Sequence, residues 1–256
     1  MNEDRERRFG GLTRLYGPDV LTRLAAQHVA VVGIGGVGSW AAEALARSGI
    51  GKLTLVDLDH VSESNINRQI HAQTDTLGMA KVEAMAARIR LIQPQCELRL
   101  IDDFLSEENL RDCLAGCTAV LDCTDQVSAK LAMIVWARQA NCPLVVCGGA
   151  GGKTDPLKLR AGDLSEASHD ALLAKIRNQL RKHHGFPKAA DQAGKPRARI
   201  PKMKVRVLWV DQAALLPASW QTGQSPQGLS CAGYGSVVTV TAAMGLAAAN
   251  EVLLGM

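Results

Sequence analysis

The run Val29-Ala30-Val31-Val32-Gly33-Ile34-Gly35-Gly36-Val37-Gly38-Ser39, continued by Trp40 to Arg47 and then by Leu53-Thr54-Leu55-Val56-Asp57, decides the fold. It reads as a short apolar strand, a glycine-rich turn, an amphipathic helix and a second strand that ends in an acid. That order is the βαβ unit that binds nucleotides. Gly33 suits the tight turn, Gly35 and Gly36 keep the backbone bare for a phosphate, and Gly38 allows close packing of helix on strand. The helix start adds free N–H groups and a positive dipole end. Asp57, at the end of the second strand, is placed to accept bonds from ribose hydroxyls. The expected fold class is α/β, a Rossmann-like, mostly parallel sheet flanked by helices.

The next residues, Asp57-Leu58-Asp59-His60-Val61-Ser62-Glu63-Ser64-Asn65-Ile66-Asn67-Arg68-Gln69, choose among nucleotides. A dinucleotide does not call for so dense a polar block. A triphosphate does, because several negative charges must be neutralised together. Arg68 offers a bidentate fork for phosphate oxygens, Asn65 and Asn67 offer donors, and Lys81, opening the next helix, offers a point charge. Asp125, after a later strand, suits Mg²⁺. Each residue alone is equally readable as part of a solvated loop. The set, at strand ends of one sheet, points to ATP with Mg²⁺.

The glycine turn, Asp57-x-Asp59, Ser64-Asn65-x-Asn67-Arg68-Gln69, Lys81 and Asp122-Cys123-Thr124-Asp125 resemble the ubiquitin-activating-enzyme superfamily of ATP-dependent adenylylating proteins. The resemblance implies activation of a carboxylate as an acyl-adenylate with release of pyrophosphate. It assigns Asp57 to the ribose, Asn65, Arg68 and Lys81 to the phosphates and Asp125 to magnesium. Gln126 departs from the family's usual Asn and puts a secondary contact in doubt.

Further stretches resemble one branch, the bacterial tRNA threonylcarbamoyladenosine dehydratases: Arg8-Phe9-Gly10-Gly11-x-x-Arg14-Leu15-Tyr16-Gly17, Gly36 to Arg47, Asn67-Arg68-Gln69-Ile70-His71-Ala72, Gly148-Gly149-Ala150-Gly151-Gly152 and Cys231-Ala232. The match spans almost the whole chain. It implies ATP-driven cyclisation of threonylcarbamoyladenosine beside the tRNA anticodon, with loss of water, and a homodimer. A cysteine-desulfurase-associated sulfur-transfer protein is a further partner it allows. It also implies that an N-terminal arginine, Arg14 or Arg8, reaches ATP, often from the second subunit. The rival within the superfamily adenylylates the C-terminal glycine of a ubiquitin-like sulfur carrier. Its relatives often carry zinc on two C-x-x-C pairs, which this sequence lacks, so no zinc is expected. A non-catalytic binding module and an NAD-dependent oxidoreductase are the rivals from other classes.

Working outward, 256 residues suit one domain with an extension: a nucleotide-binding core over 27–150 and an extension over 151–256. The composition is 47% hydrophobic but only 4% aromatic, so the core rests on Ala, Val, Leu and Ile. The charged start, Met1 to Arg8, does not read as a secretory signal. Seven scattered cysteines suit reduced thiols in a cytoplasmic protein. Asn2 to Asp19 reads as a short helix and loop. Alternation then continues: a helix over Gly78–Gln93, a strand from Cys96 to Ile101, a helix over Ser106–Ala115, a strand over Ala119–Asp122, a helix over Gln126–Ala140 and a strand over Leu144–Cys147. The glycine run after Cys147 is either a second backbone approach to ligand or a flexible exit from the sheet. Pro156–Arg160 reads as an edge strand and Asp170–Lys182 as a helix.

Lys175 to Arg206 contains eleven Lys or Arg and one acid, Asp191. The remainder holds 18 bases (29 less 11) against 24 acids (25 less 1), so the net +4 arises from this one segment. Such clustering marks a polyanion site, with tRNA the natural partner. Cys231 sits beside glycines near a helix start, where a thiolate can be stabilised, but no catalytic-cysteine domain surrounds it. The final apolar stretch, ending near Leu254, approaches a membrane span in length. Ala, Gly, Thr and Asn250 instead favour a buried C-terminal helix.

Overall fold

A computed structural model describes residues 3–189, 191, 195, 198, 200–216 and 233–255. Seven strands form one sheet: β1 His28–Val32, β2 Lys52–Val56, β3 Glu97–Ile101, β4 Ala119–Asp122, β5 Leu144–Cys147, β6 Leu159–Asp163 and β7 Arg206–Val210. Their order is β3-β2-β1-β4-β5-β7-β6. All neighbours run parallel except the final pair, β6 with β7, which is antiparallel. The helices are α1 Glu3–Tyr16, α2 Val20–Ala25, α3 Gly38–Arg47, α4 Lys81–Ile92, α5 Leu110–Cys113, α6 Val127–Ala140, α7 Ala171–His183 and α8 Val238–Leu254.

The central strands are buried almost throughout, and mostly apolar, because both faces are covered. All five residues of β1 are buried, as a parallel sheet between helical layers requires. Strand order reverses between β1 and β4. The crevice beyond the C-terminal ends of those two strands is where ligands settle in such sheets.

The residues after 151 complete this sheet rather than forming a separate layer. The sequence reading did not identify β7, because its apolar run lies at the end of the basic segment. Asp163 organises the entry to β7: its carboxylate accepts the backbone N–H groups of Met203 and Lys204 at 2.8 and 2.7 Å. The edge strand is real but starts later than the spacing suggests. Pro156–Lys158 forms a 3-10 turn capped by Asp155, and pairing begins at Leu159. The expected helix over Ser106–Ala115 shrinks to α5. The Asn109 side chain takes Ser106 N–H at 2.8 Å and donates to the Phe104 carbonyl at 2.8 Å, which holds a turn in place of the first helical turn. The segment Asn2 to Asp19 holds one helix, α1, longer than expected, and a second, unexpected helix, α2, follows it.

Helix α8 buries one face, Val240, Met244, Ala248 and Val252 among others, while Leu246 and Leu254 remain exposed. It packs on α3 through Gly245, where a Cβ would lie 2.3 Å from the Val37 carbonyl oxygen. The C-terminal helix therefore braces the glycine turn. Among the described residues no helix is long and apolar enough to cross a membrane.

Candidate active site

The glycine turn leaves β1 with Gly33 at φ +86°, donating its N–H to the Val56 carbonyl at 2.8 Å. A side chain here would be strained, and a Cβ would meet Cys123 backbone at 2.9 Å, across the point where strand order reverses. Gly38 admits no side chain: a Cβ would lie 1.8 Å from the Gly33 carbonyl oxygen. Gly35 has open space around it.

The Asp57 carboxylate closes the floor. It accepts the N–H of Ile34 at 2.6 Å and of Asp59 at 2.9 Å, so the acid at the end of β2 holds the turn at the end of β1. Burial pushes its carboxyl above the ordinary range, against the opposing pull of Lys81. Lys81 Nζ lies 2.6 Å from Asp59 Oδ2 and 3.9 Å from Asp57 Oδ1. Only 7% of the Lys81 side chain is exposed, so its charge is poorly screened by water.

The loop bearing Arg68 is fixed from two sides. Trp40, on α3, donates its indole N–H to the Arg68 carbonyl at 3.0 Å, and Asn67 donates to the Ser236 carbonyl at 2.9 Å. Asn65 caps its own turn by accepting Ser62 N–H at 3.2 Å. Among the described residues the Arg68 guanidinium bonds only to acceptors within its own loop, the Ser64 carbonyl at 2.6 Å and Asn67 Oδ1 at 2.9 Å. It remains half-buried and available to an anion. The Gln69 side-chain oxygen is buried with no hydrogen-bond partner among the described residues.

Gly33, Gly35, Gly36, Asp57, Asp59, Asn65, Arg68, Gln69, Lys81 and Asp125 all line one cleft of about 290 Å³. Asp125 is exposed there and makes no ion pair among the described residues. Asp103 lines the same cleft, also without an ion pair among the described residues, but accepts Phe104 N–H at 2.7 Å and Asn109 at 3.3 Å. The run Gly148 to Gly151, on leaving β5, also lines the cleft. Gly149 N–H is held by Asp170 Oδ2 at 2.8 Å, and Asp170 also caps α7 through Leu173 N–H at 2.9 Å.

Three expected residues stand apart. Arg8 is exposed on α1, paired with Asp4 at 2.8 Å and donating to the Ile92 carbonyl. Arg14 is exposed on the same helix, and neither lines the cleft of its own chain. Cys231 lies outside the described residues. The basic segment is divided in use. Arg177 donates to the Leu164 and Ala167 carbonyls, and Arg206 pairs with Glu251 at 2.7 Å. Lys175, Lys182, Lys188, Lys195 and Lys204 are exposed.

Two contributions went unread in the sequence. Phe104, half exposed in the loop after β3, lines the cleft with an apolar face. Beneath it, Lys130 of α6 is fully buried and donates to Asp122 Oδ1 at 3.0 Å and the Cys147 carbonyl at 2.8 Å. One lysine thus ties the ends of β4 and β5 below the Thr124–Asp125 loop.

The sheet, the turn at its reversal point and the cation-bearing loop define the class, a Rossmann-like protein built to hold a nucleotide. The chain belongs to the ThiF family, whose model matches residues 10–254. It is 41% identical to the tRNA threonylcarbamoyladenosine dehydratase of Haemophilus influenzae over 97% of this chain and 92% of that protein. It is 42% identical to the Escherichia coli protein of the same name, over 97% and 93%. A crystal structure of E. coli tRNA N6-threonylcarbamoyladenosine dehydratase, TcdA, in complex with ATP superposes with a TM-score of 0.84 at 40% identity, covering 98% of this chain and 93% of that one.

Proposed function

We propose that this chain is an ATP-dependent tRNA threonylcarbamoyladenosine dehydratase. The observation that carries the reading is the complete cleft: Asp57, Asn65, Arg68, Lys81 and Asp125 converge on one cavity in a chain that matches the dehydratases nearly end to end. In this reading the cleft takes ATP. Asp57 accepts from the ribose, Phe104 and Leu105 offer an apolar surface to the base, and Arg68 and Lys81 face the phosphates. Asp125 is the residue that would hold Mg²⁺, a cation that uses few protein carboxylates. That ion, when bound, offsets charge on the phosphates.

The chemistry follows from the weakness of a carboxylate as an electrophile. Its oxygen attacks the α-phosphorus, pyrophosphate leaves, and the carboxyl becomes an acyl-adenylate. Arg68 and Lys81 stabilise the charge that builds on the phosphates, from positions fixed beforehand by Trp40 and by the Asp57–Asp59 pair. An atom of the same modified nucleoside then closes a ring on the activated carbonyl and expels AMP. Because attacker and target share one molecule, proximity lowers much of the barrier. No protein nucleophile is needed.

The exposed lysines beyond α7 are the surface offered to tRNA phosphates. We also propose a homodimer in the cytoplasm, in which Arg8 or Arg14 would serve the other copy's ATP, since neither reaches its own. A sulfur-transfer protein is a further partner on this reading. The test is pyrophosphate release from ATP and Mg²⁺. It should rise with tRNA carrying threonylcarbamoyladenosine and not with tRNA lacking that group. Release driven instead by a ubiquitin-like carrier protein would reassign the substrate.

A further inference from the structure

A second cavity, of about 460 Å³, adjoins the ATP cleft. The two share Gly149, Gly151 and Leu172 as a common wall. That wall is almost bare of side chains, and a Cβ built at Gly149 meets nothing nearer than 4.0 Å. Material in the second cavity can therefore reach the first.

The lining of this cavity includes Ser168 and His169, part of a polar group that nothing above uses. Ser168 donates to Asp211 Oδ1 at 2.6 Å, and His169 Nε2 lies 4.0 Å from the same oxygen. His169 has φ +53°, the left-handed region, although it is not glycine. Such a conformation persists only where surrounding contacts impose it. Here they do. Lys153, 4% exposed, donates to the His169 carbonyl at 2.7 Å and also to the Gln212 carbonyl. The next residue, Asp170, is pinned by its bonds to Gly149 and Leu173. The imidazole is nonetheless 56% exposed. A buried lysine and a buried aspartate thus hold an open imidazole in the lining of the second cavity.

Helix α7 links this cavity to the basic surface. Ala171, Leu172 and Ala174, at its start, line the cavity, and Arg181 and Lys182 lie in its last turn. Thirteen residues span about 20 Å, the reach of a few nucleotides of single strand.

We propose that the second cavity receives the carboxylate-bearing nucleoside of the RNA and that His169 accepts the proton released when the ring closes. This rests on the function proposed above. A nitrogen or oxygen of the carbamoyl group forms a bond to the activated carbonyl carbon. The carbonyl–oxygen bond to AMP breaks, and AMP leaves with the electron pair. Whichever atom attacks, one carbamoyl N–H proton is lost, and it passes to the His169 imidazole. The water formally removed is one oxygen carried off on AMP and two protons, this one and that of the carboxylic acid. General base catalysis of this kind contributes roughly 10²–10⁴-fold.

The test is single turnover with ATP, Mg²⁺ and tRNA carrying threonylcarbamoyladenosine, following pyrophosphate and the cyclic nucleoside separately. Wild-type protein should form the two together. His169→Gln should slow ring closure about 100-fold, with pyrophosphate appearing ahead of cyclic nucleoside. Ala171→Trp, at an exposed position on the cavity rim, should raise the tRNA concentration needed for turnover at least tenfold while ATP binding by calorimetry stays intact. If His169→Gln slows both products equally, its role as proton acceptor is overturned. If both variants keep pace with wild type, the cavity is not the nucleoside site. If wild-type protein itself makes no cyclic nucleoside, the failure lies with the proposed function, not with the cavity.

Discussion

Lys130 Nζ lies 3.0 Å from Asp122 Oδ1, and neither side chain has any exposure to water. The same carboxylate oxygen also takes the Thr124 N–H at 3.1 Å and the Thr124 hydroxyl at 2.8 Å. The loop that presents Asp125 thus hangs from a carboxylate that a buried lysine neutralises. Lys130→Met would leave Asp122 charged and unneutralised in the interior, which costs about 3–5 kcal/mol. Urea unfolding should show a loss of that size with an unchanged slope. A change under 1 kcal/mol would mean the pair carries no such charge.

Arg68 is set for the opposite behaviour. Among the described residues its guanidinium makes only local bonds within its loop, so Arg68→Ala should leave the unfolding midpoint nearly unchanged. Pyrophosphate release should fall about 10²–10³-fold, the usual effect of removing one preorganised charge-stabilising group. Trp40→Phe removes the indole bond that fixes the Arg68 carbonyl. About 1 kcal/mol is at stake, so activity should fall several-fold, between wild type and Arg68→Ala.

Asp125 is tested through the metal. Asp125→Asn should raise the Mg²⁺ concentration for half-maximal pyrophosphate release about tenfold or more, with ATP affinity in the absence of Mg²⁺ little altered. An unchanged Mg²⁺ requirement would move the ion away from Asp125.

His71 sets an acid limit. It is 2% exposed, and neither ring nitrogen has a hydrogen-bond partner among the described residues. Burial, with Lys81 and Arg88 nearby, lowers its pKa to about 4 from 6.5. The folded state therefore binds fewer protons than the unfolded state between those values. This contribution is fully present above pH 6.5 and is lost as pH falls toward 4, by about 3 kcal/mol in all. His71→Leu should flatten the stability profile across that window.

Much of this was legible in the sequence for identifiable reasons. Strands β1, β4 and β5 are built on short apolar runs, Val29–Val32, Ala119–Leu121 and Leu144–Cys147, so their limits fell close to the observed ones. The glycines, Asp57, Arg68 and Lys81 sit where strand ends place them, so a linear reading assembled the cleft. Lys130 was missed because a helical lysine reads as solvated. The signal was present, since 130, 133, 134 and 137 share one face with Met133, Ile134 and Ala137, all buried. Strand β7 was missed because a charge-rich segment ends in it. The Ser168–His169–Asp211 group joins residues 42 and more positions apart: the β6–β7 pairing puts Asp211 beside Lys158, and the segment after Asp163 turns back to bring Ser168 to it.

The most direct test of the central claim is nucleoside mass spectrometry after incubating the protein with ATP, Mg²⁺ and tRNA carrying threonylcarbamoyladenosine. The account predicts that this nucleoside loses one water, only when ATP is present, with AMP and pyrophosphate formed in equal amounts. An unchanged nucleoside alongside steady pyrophosphate release would contradict it.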